Sequence, residues 1–386
     1  MTVHTEIVAG GETDFLAVRA LTASGSEREI GRALAERARQ GFGWTPAPAD
    51  PVKARARNAW FARYWPQHLE RIRGVAQALD LDAEQVYLDC LSGLPTGSAC
   101  SATYYPPAST ADGRPVFGRN YDFFTTSATD LFAMLVGEPA SGGSEPPLAS
   151  RPHVLVSHPD DGPATVVLTM NDLDGCMEGI NEHGLAVALL IADAESASAP
   201  AHAGPQVGLN PVQLPRFLLD TCATAAQALD ALYAAKQYDM GPALHYLVGD
   251  RHGDAFVWER GPGGAEYAVR ADAAALCVTN HPLHRPTDAV DNPETLLTHH
   301  RYRTVAQRSA GTGLSATSLR DALDAARVDA RSDTRYPVRT LWRTVFDLDR
   351  ATMATRFYLG DEPDGGARYS PELEFAAVSP ERVPRR

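Results

Sequence analysis

Apolar residues recur at helical spacing through most of the first hundred positions, and in short strand-like bursts through most of the remaining chain. Ser26 and Glu29 form a capping box ahead of Ile30, Leu34 and Ala38, which share one helical face. Pro66 starts a further helix carrying Leu69, Ile72, Val75 and Leu79 on one side, and Asp82 caps a short helix with Val86, Leu88 and Leu91. At Ser92 the pattern changes. SGLPTGSA is turn-forming, and Cys100 opens a strand that continues through Thr103, Tyr104 and Tyr105. Asp112-Gly113 supplies the turn, and Val116 and Phe117 begin the return strand.

Strands are predicted over 154–156, 164–170 and 185–191, then helices over 212–222 and 224–235. Short strands come next at 244–248, 255–259, 266–269 and 276–279, with helices at 299–308 and 318–328 and a closing hairpin of 340–346 with 352–358. The Pro/Gly/Ser-rich segments 138–152 and 196–208 read as loops. Helices in blocks, with strands before, between and after them, fit antiparallel sheets covered by helices better than a doubly wound parallel sheet. No internal repeat, heptad, G-x-G-x-x-G or Walker loop is present, so nucleotide binding has no support.

Composition narrows the partners. A length of 386 residues allows one large domain or two, and 44% hydrophobic with 22% charged residues is an ordinary globular balance. A net charge of −13 with scattered Lys and Arg argues against nucleic acid and anionic membranes. The most apolar run, 184–192, is far short of the roughly 20 residues of a membrane span, and MTVHTEIVAGGETDF lacks the basic and apolar regions of a secretory signal. Five widely spaced cysteines, an odd count, suggest reduced thiols and a cytoplasmic location. Cys90, Cys176, Cys222 and Cys277 sit among apolar residues and read as core. Cys100 does not.

A nucleophile must be positioned, deprotonated and opposed by groups that hold the charge developing on the attacked carbonyl. Cys100 comes after a Gly/Ser-rich stretch, and the return strand, GRNYDFF over 118–124, sets Arg119, Asn120 and Asp122 beside it. Polar residues in an apolar hairpin are costly to bury without partners. Arg119 would lower the thiol pKa; Asp122 would accept a hydrogen bond from an amine or amide at Cys100. The alternative is a surface ion pair between Arg119 and Asp122. The aromatics Tyr104, Tyr105, Phe123 and Phe124 read as core rather than as an acyl pocket. A papain-like protease using His183 or His281 lacks its local signature. His281, His284, His299 and His300 lack a Cys pair or H-E-x-x-H framework and read as exposed loop histidines, so no metal or cofactor is expected.

Cys100 followed by GRNYDFF resembles the choloylglycine hydrolase superfamily, which includes bile salt hydrolases, penicillin V acylase and the acyl-CoA:isopenicillin N acyltransferases. GINEHGLAVALL (179–190) resembles its G-x-N-x-x-G-L segment, VTNHP (278–282) its T-N-x-P segment, HHRYRT (299–304) its arginine-bearing helix, and TLWRTVFDLDRATM (340–353) its closing hairpin. The leading SGSEREIGRALAERARQ resembles the pro-segment of the acyltransferase branch. The resemblance implies an α+β fold, the four-layer αββα sandwich of two antiparallel sheets of N-terminal-nucleophile hydrolases. It implies a leading helical segment, 1–99, retained after self-cleavage at Ala99–Cys100, and a catalytic domain, 100–386. It implies Cys100 as nucleophile, Arg119 and Asp122 as its supports, Asn280 as oxyanion donor and Arg301 as a further cation, with Arg303 the alternative in the same run. Ile191 stands where bile salt and penicillin V hydrolases place a second oxyanion side chain, leaving a backbone N–H to serve. The activity implied is hydrolysis of a linear N-acyl or N-aminoacyl amide; the alternatives are transfer of the acyl group from a donor to an amine acceptor, and a non-catalytic binding protein on the same scaffold.

Overall fold

The computed structural model describes residues 2–42, 44–87, 99–139, 145–170, 175–192, 207–238, 243–261, 264–285, 297–329 and 337–378. Cys90, Leu88, Leu91 and most of the turn-forming stretch before Cys100 lie outside these residues, as does most of the 196–208 loop.

The leading segment opens with a hairpin, β1 (Thr2–Ala9) and β2 (Val18–Gly25), followed by α1 (Glu27–Phe42). The capping box forms as predicted: Glu29 N donates to Ser26 Oγ at 3.3 Å and Ser26 N donates to Glu29 Oε2 at 2.9 Å. Ile30 and Leu34 are buried against Leu21, Ala23 and Leu155. Next come β3 (Ala47–Pro48), α2 (Pro51–Tyr64), α3 (Pro66–Leu79) and β4 (Val86–Tyr87), which pairs with β3. Helix α2 was not foreseen, because its buried face of Ala54, Arg57 and Phe61 carries an arginine where an apolar residue would signal a helix. Asp82 begins only a single 3-10 turn, Ala83–Gln85, before β-branched Val86 enters the ribbon. Helices α1 and α3 cross backbone to backbone at Gly31 and Gly74, where a side chain on either would run into the other helix's main chain.

The hairpin of β5 (Ala99–Tyr105) and β6 (Val116–Phe124) comes next, with Gly113 at φ +73° in its turn. After it stand α4 (Ala128–Val136), also unforeseen, and β7 (His153–Pro159), β8 (Thr165–Leu168), β9 (Glu178–Asn181) and β10 (Ala186–Ile191). The chain continues with α5 (Leu214–Thr221), α6 (Ala225–Ala234), β11 (Leu244–Gly249), β12 (Ala255–Arg260), β13 (Glu266–Arg270) and β14 (Leu276–Val278). It closes with α7 (Thr298–Arg308), α8 (Ala316–Ala325), β15 (Val338–Asp347), β16 (Thr352–Asp361), β17 (Ala367–Tyr369) and β18 (Leu373–Ala376).

Among the described residues these strands build a nine-stranded sheet, β1-β2-β7-β8-β9-β10-β11-β12-β13, and a seven-stranded sheet, β14-β5-β6-β15-β16-β17 with β18 also on β16. Helices α1, α5 and α6 cover the first sheet and α7 and α8 the second, while β5 and β6 face β10 between them. The fold is α+β, an αββα sandwich. The expectation of purely antiparallel sheets needs one correction: β2 and β7 pair in parallel, Leu21 opposite Leu155. The chain leaves β2 through four helices, the β3–β4 ribbon and the β5–β6 hairpin before returning, and such a crossover, unlike a tight turn, allows parallel neighbours. Strands in the two middle layers are covered on both faces, so β5, β10 and β11 are buried at every residue. No helix among the described residues is long and apolar enough to cross a membrane.

Candidate active site

Alternation along β6 divides its polar residues between two environments. Arg119 and Tyr121 face the nine-stranded sheet: Arg119 Nη1 donates to Met177 O at 3.1 Å, and the Tyr121 hydroxyl to Met170 Sδ at 3.0 Å. Asn120 faces the helical layer, where its Nδ2 donates to Leu323 O of α8 at 2.6 Å. Gly118 shares that face, because a side chain there would collide with Leu319 of α8. Asp122 lies on the same side. The motif's two charged residues therefore stand on opposite faces of one buried strand, which excludes the surface ion pair.

Cys100 lies opposite Tyr121 and is buried, 1% exposed. Each of its polar atoms is held by a different residue. Arg119 Nη2 donates to Sγ at 2.9 Å. The backbone N–H donates to Asn280 Oδ1 at 3.1 Å. The backbone carbonyl accepts from Arg301 Nη1 at 2.5 Å. Arg301 also reaches Ser101 Oγ at 3.1 Å and Asn280 Oδ1 at 2.6 Å. Asn280 Nδ2 donates to Ile191 O at 2.5 Å, so two donors and one carbonyl together fix which way its amide points. Thr298 at the start of α7 receives the Asn280 N–H at 3.0 Å, joining the VTNHP segment to the helix that carries Arg301.

All five residues implied by the resemblance thus lie in or beside one buried cluster, with two adjustments to their contacts. Asp122 does not take the Cys100 N–H, which goes to Asn280. The carboxylate instead accepts from the Thr340 hydroxyl and faces Arg301 at 3.8 Å, while its Oδ2 has no hydrogen bond. Burial pushes Asp122 up to about 6, against the opposing pull of Arg301, the Thr340 hydroxyl and Arg119. Nor is the thiol depressed. Burial raises it above its usual range, and Arg119 only partly offsets that. Between the two arginines of HHRYRT the packing is clear: Arg301 is buried and Arg303 exposed.

Sequence reasoning missed Glu178. It is wholly buried on β9, with Oε2 accepting from Arg119 Nη1 at 2.8 Å and from Trp342 Nε1 at 3.0 Å. The signal was available: an acid inside the apolar CMEGI run meets the criterion that singled out Arg119. Thr340, Ser101 and Thr298 were missed as well, hydroxyls too common to stand out in a sequence. The histidine expectation needs correction too. His281 is buried, its Nδ1 3.1 Å from the Thr279 and Thr298 hydroxyls and its ring 4.1 Å from that of His299. The four aromatics of the hairpin are core, each at most 1% exposed.

The family model for acyl-coenzyme A:6-aminopenicillanic acid acyl-transferase matches residues 109–361, about two thirds of the sequence. The chain belongs to that family. The matched span starts beyond Cys100 and takes in Arg119, Asp122, Asn280 and Arg301. Family membership makes the chain an enzyme of the amidohydrolase and acyltransferase class acting on amide C–N bonds. Among solved structures it is similar to penicillin V acylase from Agrobacterium tumefaciens, with 16% identity, 67% of this chain and 82% of that one covered, and a TM-score of 0.45. A mutant conjugated bile acid hydrolase from Clostridium perfringens shows 14% identity over 70% of this chain and 92% of that one, with a TM-score of 0.45. An N-acylethanolamine-hydrolyzing acid amidase ortholog from Caenorhabditis elegans shows 15% identity over 65% and 93%, with a TM-score of 0.42. No curated protein matches the sequence.

Proposed function

We propose that the protein is a cysteine-dependent amide hydrolase, acting in the cytoplasm on a linear N-acyl or N-aminoacyl amide and matured by cleavage of its own Ala99–Cys100 bond. The observation that carries this reading is the convergence of three buried polar residues on the three polar atoms of Cys100: Arg119 on sulfur, Asn280 on nitrogen, Arg301 on oxygen.

In maturation, Sγ attacks the Ala99 carbonyl carbon and the Cys100 nitrogen leaves as an amine. Water hydrolyses the thioester, releasing the Ala99 carboxylate and restoring the thiol. The new α-amino group has a reference pKa of about 7.7–8, suited to a general base near neutrality. It takes the thiol proton as sulfur attacks the substrate carbonyl, then delivers it to the leaving amine. Arg119 favours the thiolate. Asn280, whose NH2 carries two donors with one given to Ile191 O, holds the oxyanion together with a backbone N–H. Water resolves the S-acyl enzyme to a carboxylic acid. Resolution by an amine acceptor would make the same chemistry a transfer; hydrolysis is favoured because it needs no second substrate.

Segment 1–99 stays bound after the cut in this reading. Its β1–β2 hairpin extends the nine-stranded sheet, and Arg71 of α3 is buried against Asp220 of α5 at 2.5 Å. Intact mass of freshly purified protein tests the proposal. Wild type should give fragments 1–99 and 100–386 that co-purify, and Cys100→Ala a single uncut and inactive chain. Active wild type with one uncut mass would eliminate the free amine as base. A panel of N-acyl and N-aminoacyl amides, with and without an added amine, separates hydrolysis from transfer.

A further inference from the structure

The contact between Arg119 and the Cys100 sulfur is not made by β6 alone. A guanidinium on a long side chain has several rotamers, and only an anchor keeps one edge on the thiol. That anchor comes from the other sheet. Arg119 gives Nη2 to Sγ at 2.9 Å and Nη1 to Glu178 Oε2 at 2.8 Å, so the two edges of one planar group join the nucleophile's strand to β9. Trp342 of β15 fixes the carboxylate in turn with its indole N–H at 3.0 Å. Neither Arg119 nor Glu178 has any exposed surface, so water does not screen the pair. The Arg119 guanidinium also lies 4.8 Å from the Tyr121 ring centroid, and that ring stacks on Trp342 at 4.0 Å.

We propose that Glu178 is a positioning residue that aims Arg119 at the Cys100 sulfur and tempers its charge. This rests on the reading of Cys100 as nucleophile. With Glu178 in place Arg119 remains a hydrogen-bond donor to sulfur, but its field is largely neutralised, so the thiol is held without being permanently ionised. The ionisable groups facing the thiol are Arg119, Tyr121 and Asp122 of β6, Arg301 of α7 and, through Arg119, Glu178. Those around Glu178 are Arg119, Tyr121 and Cys176.

The two functions of Glu178 separate in two variants. Glu178→Gln keeps an oxygen to accept from Arg119 and Trp342 but loses the charge; Glu178→Ala loses both. The readout is the pH dependence of Cys100 alkylation by iodoacetamide, located by peptide mapping on protein whose maturation is tracked by intact mass. This reports the thiol directly, whether or not it turns over substrate, so a failed nucleophile assignment would show in Cys100→Ala turnover and not here. In the Gln variant the alkylation midpoint should fall by on the order of one pH unit, since an uncompensated guanidinium favours the thiolate. In the Ala variant Arg119 keeps only the Met177 carbonyl at that edge and is aimed less firmly, so the midpoint should lie above that of Gln. Midpoints of Gln and Ala that coincide would reduce Glu178 to a charge and overturn the aiming function. A Gln midpoint equal to wild type would overturn the proposal outright, and that comparison decides the matter should Ala fail to fold.

Discussion

Two buried clusters in this protein each contain two guanidiniums and two carboxylates, and they use them differently. Behind the leading segment, Arg71 and Arg216 meet Glu27 and Asp220. Asp220 alone receives Arg71 at 2.5 Å, Arg216 at 2.9 Å and the Trp65 indole at 2.9 Å. Around Cys100, Arg119 and Arg301 meet Glu178 and Asp122. Here Arg119 divides its donors among a carboxylate, a backbone carbonyl and a thiol, and Arg301 directs its short contacts to a backbone carbonyl, a hydroxyl and an amide, standing 3.8 Å from Asp122. The consequence appears in the two aspartates, although burial also raises Glu27 of the first cluster. Burial raises both, but Arg216 and Arg71 outweigh it at Asp220 and hold that carboxyl below its usual range, whereas Asp122 stays up at about 6. A cluster that closes its charges on one another fastens elements together. One that lends its cations to a thiol, a carbonyl, a hydroxyl and an amide keeps charge beside groups that are themselves neutral, the arrangement the proposed chemistry calls for.

The largest effect should come from opening the closed cluster. Asp220→Asn leaves two buried arginines facing Glu27 alone, and breaking such a pair costs about 3–5 kcal/mol. Chemical denaturation of the uncut Cys100→Ala protein should show that loss, and in mature protein fragment 1–99 should dissociate more readily. A loss below about 1 kcal/mol would mean that the cluster does not fasten the segment.

Disturbing the open cluster should affect rate more than stability. Removing one oxyanion donor typically lowers kcat by about 10²–10³, so Asn280→Ala should depress kcat far more than it changes KM, provided the variant is first shown to mature. An Asn280→Ala enzyme that matures and keeps wild-type kcat would remove Asn280 from the oxyanion site.

Asp122 should leave a smaller imprint, on pH dependence. Its folded pKa of about 6 lies above the usual carboxylate value, so between about pH 4 and 6 the folded state binds more protons than the unfolded one. Its contribution therefore favours folding at low pH and is lost as pH rises through 6. On the uncut Cys100→Ala background, Asp122→Asn should gain stability relative to its parent across that window, on the order of 3 kcal/mol by pH 7. Parallel stability curves from pH 4 to 7 would contradict the buried, under-bonded carboxylate.

The smallest effect belongs to Arg303→Ala, two residues from Arg301 and exposed. Turnover should remain within about twofold and stability within about 0.5 kcal/mol, against a large loss of turnover for Arg301→Ala. Equal losses in both would erase the distinction between the two arginines.

Much of this was legible from residues close together in the chain. The capping box at Ser26 and Glu29, the helix from Pro66, the Cys100 hairpin and most later strands are set by turn chemistry, caps and apolar spacing, which act over a few residues. The polar residues of GRNYDFF stood out because burying them demands partners. What those partners were, only the tertiary structure decided. Glu178 lies 59 positions beyond Arg119 and reaches it from the opposite sheet. Asp122 finds Thr340 through strand pairing across 218 positions. The parallel junction of β2 with β7 depends on a crossover longer than any local pattern can register. HHRYRT shows the boundary most simply. On an α-helix, residues two apart point roughly 200° away from each other, so the sequence alone required Arg301 and Arg303 to face different ways. Which of them faces Cys100 was decided by the side of α7 that packs on β5, because burying one face of a helix is a choice made between elements and not within one.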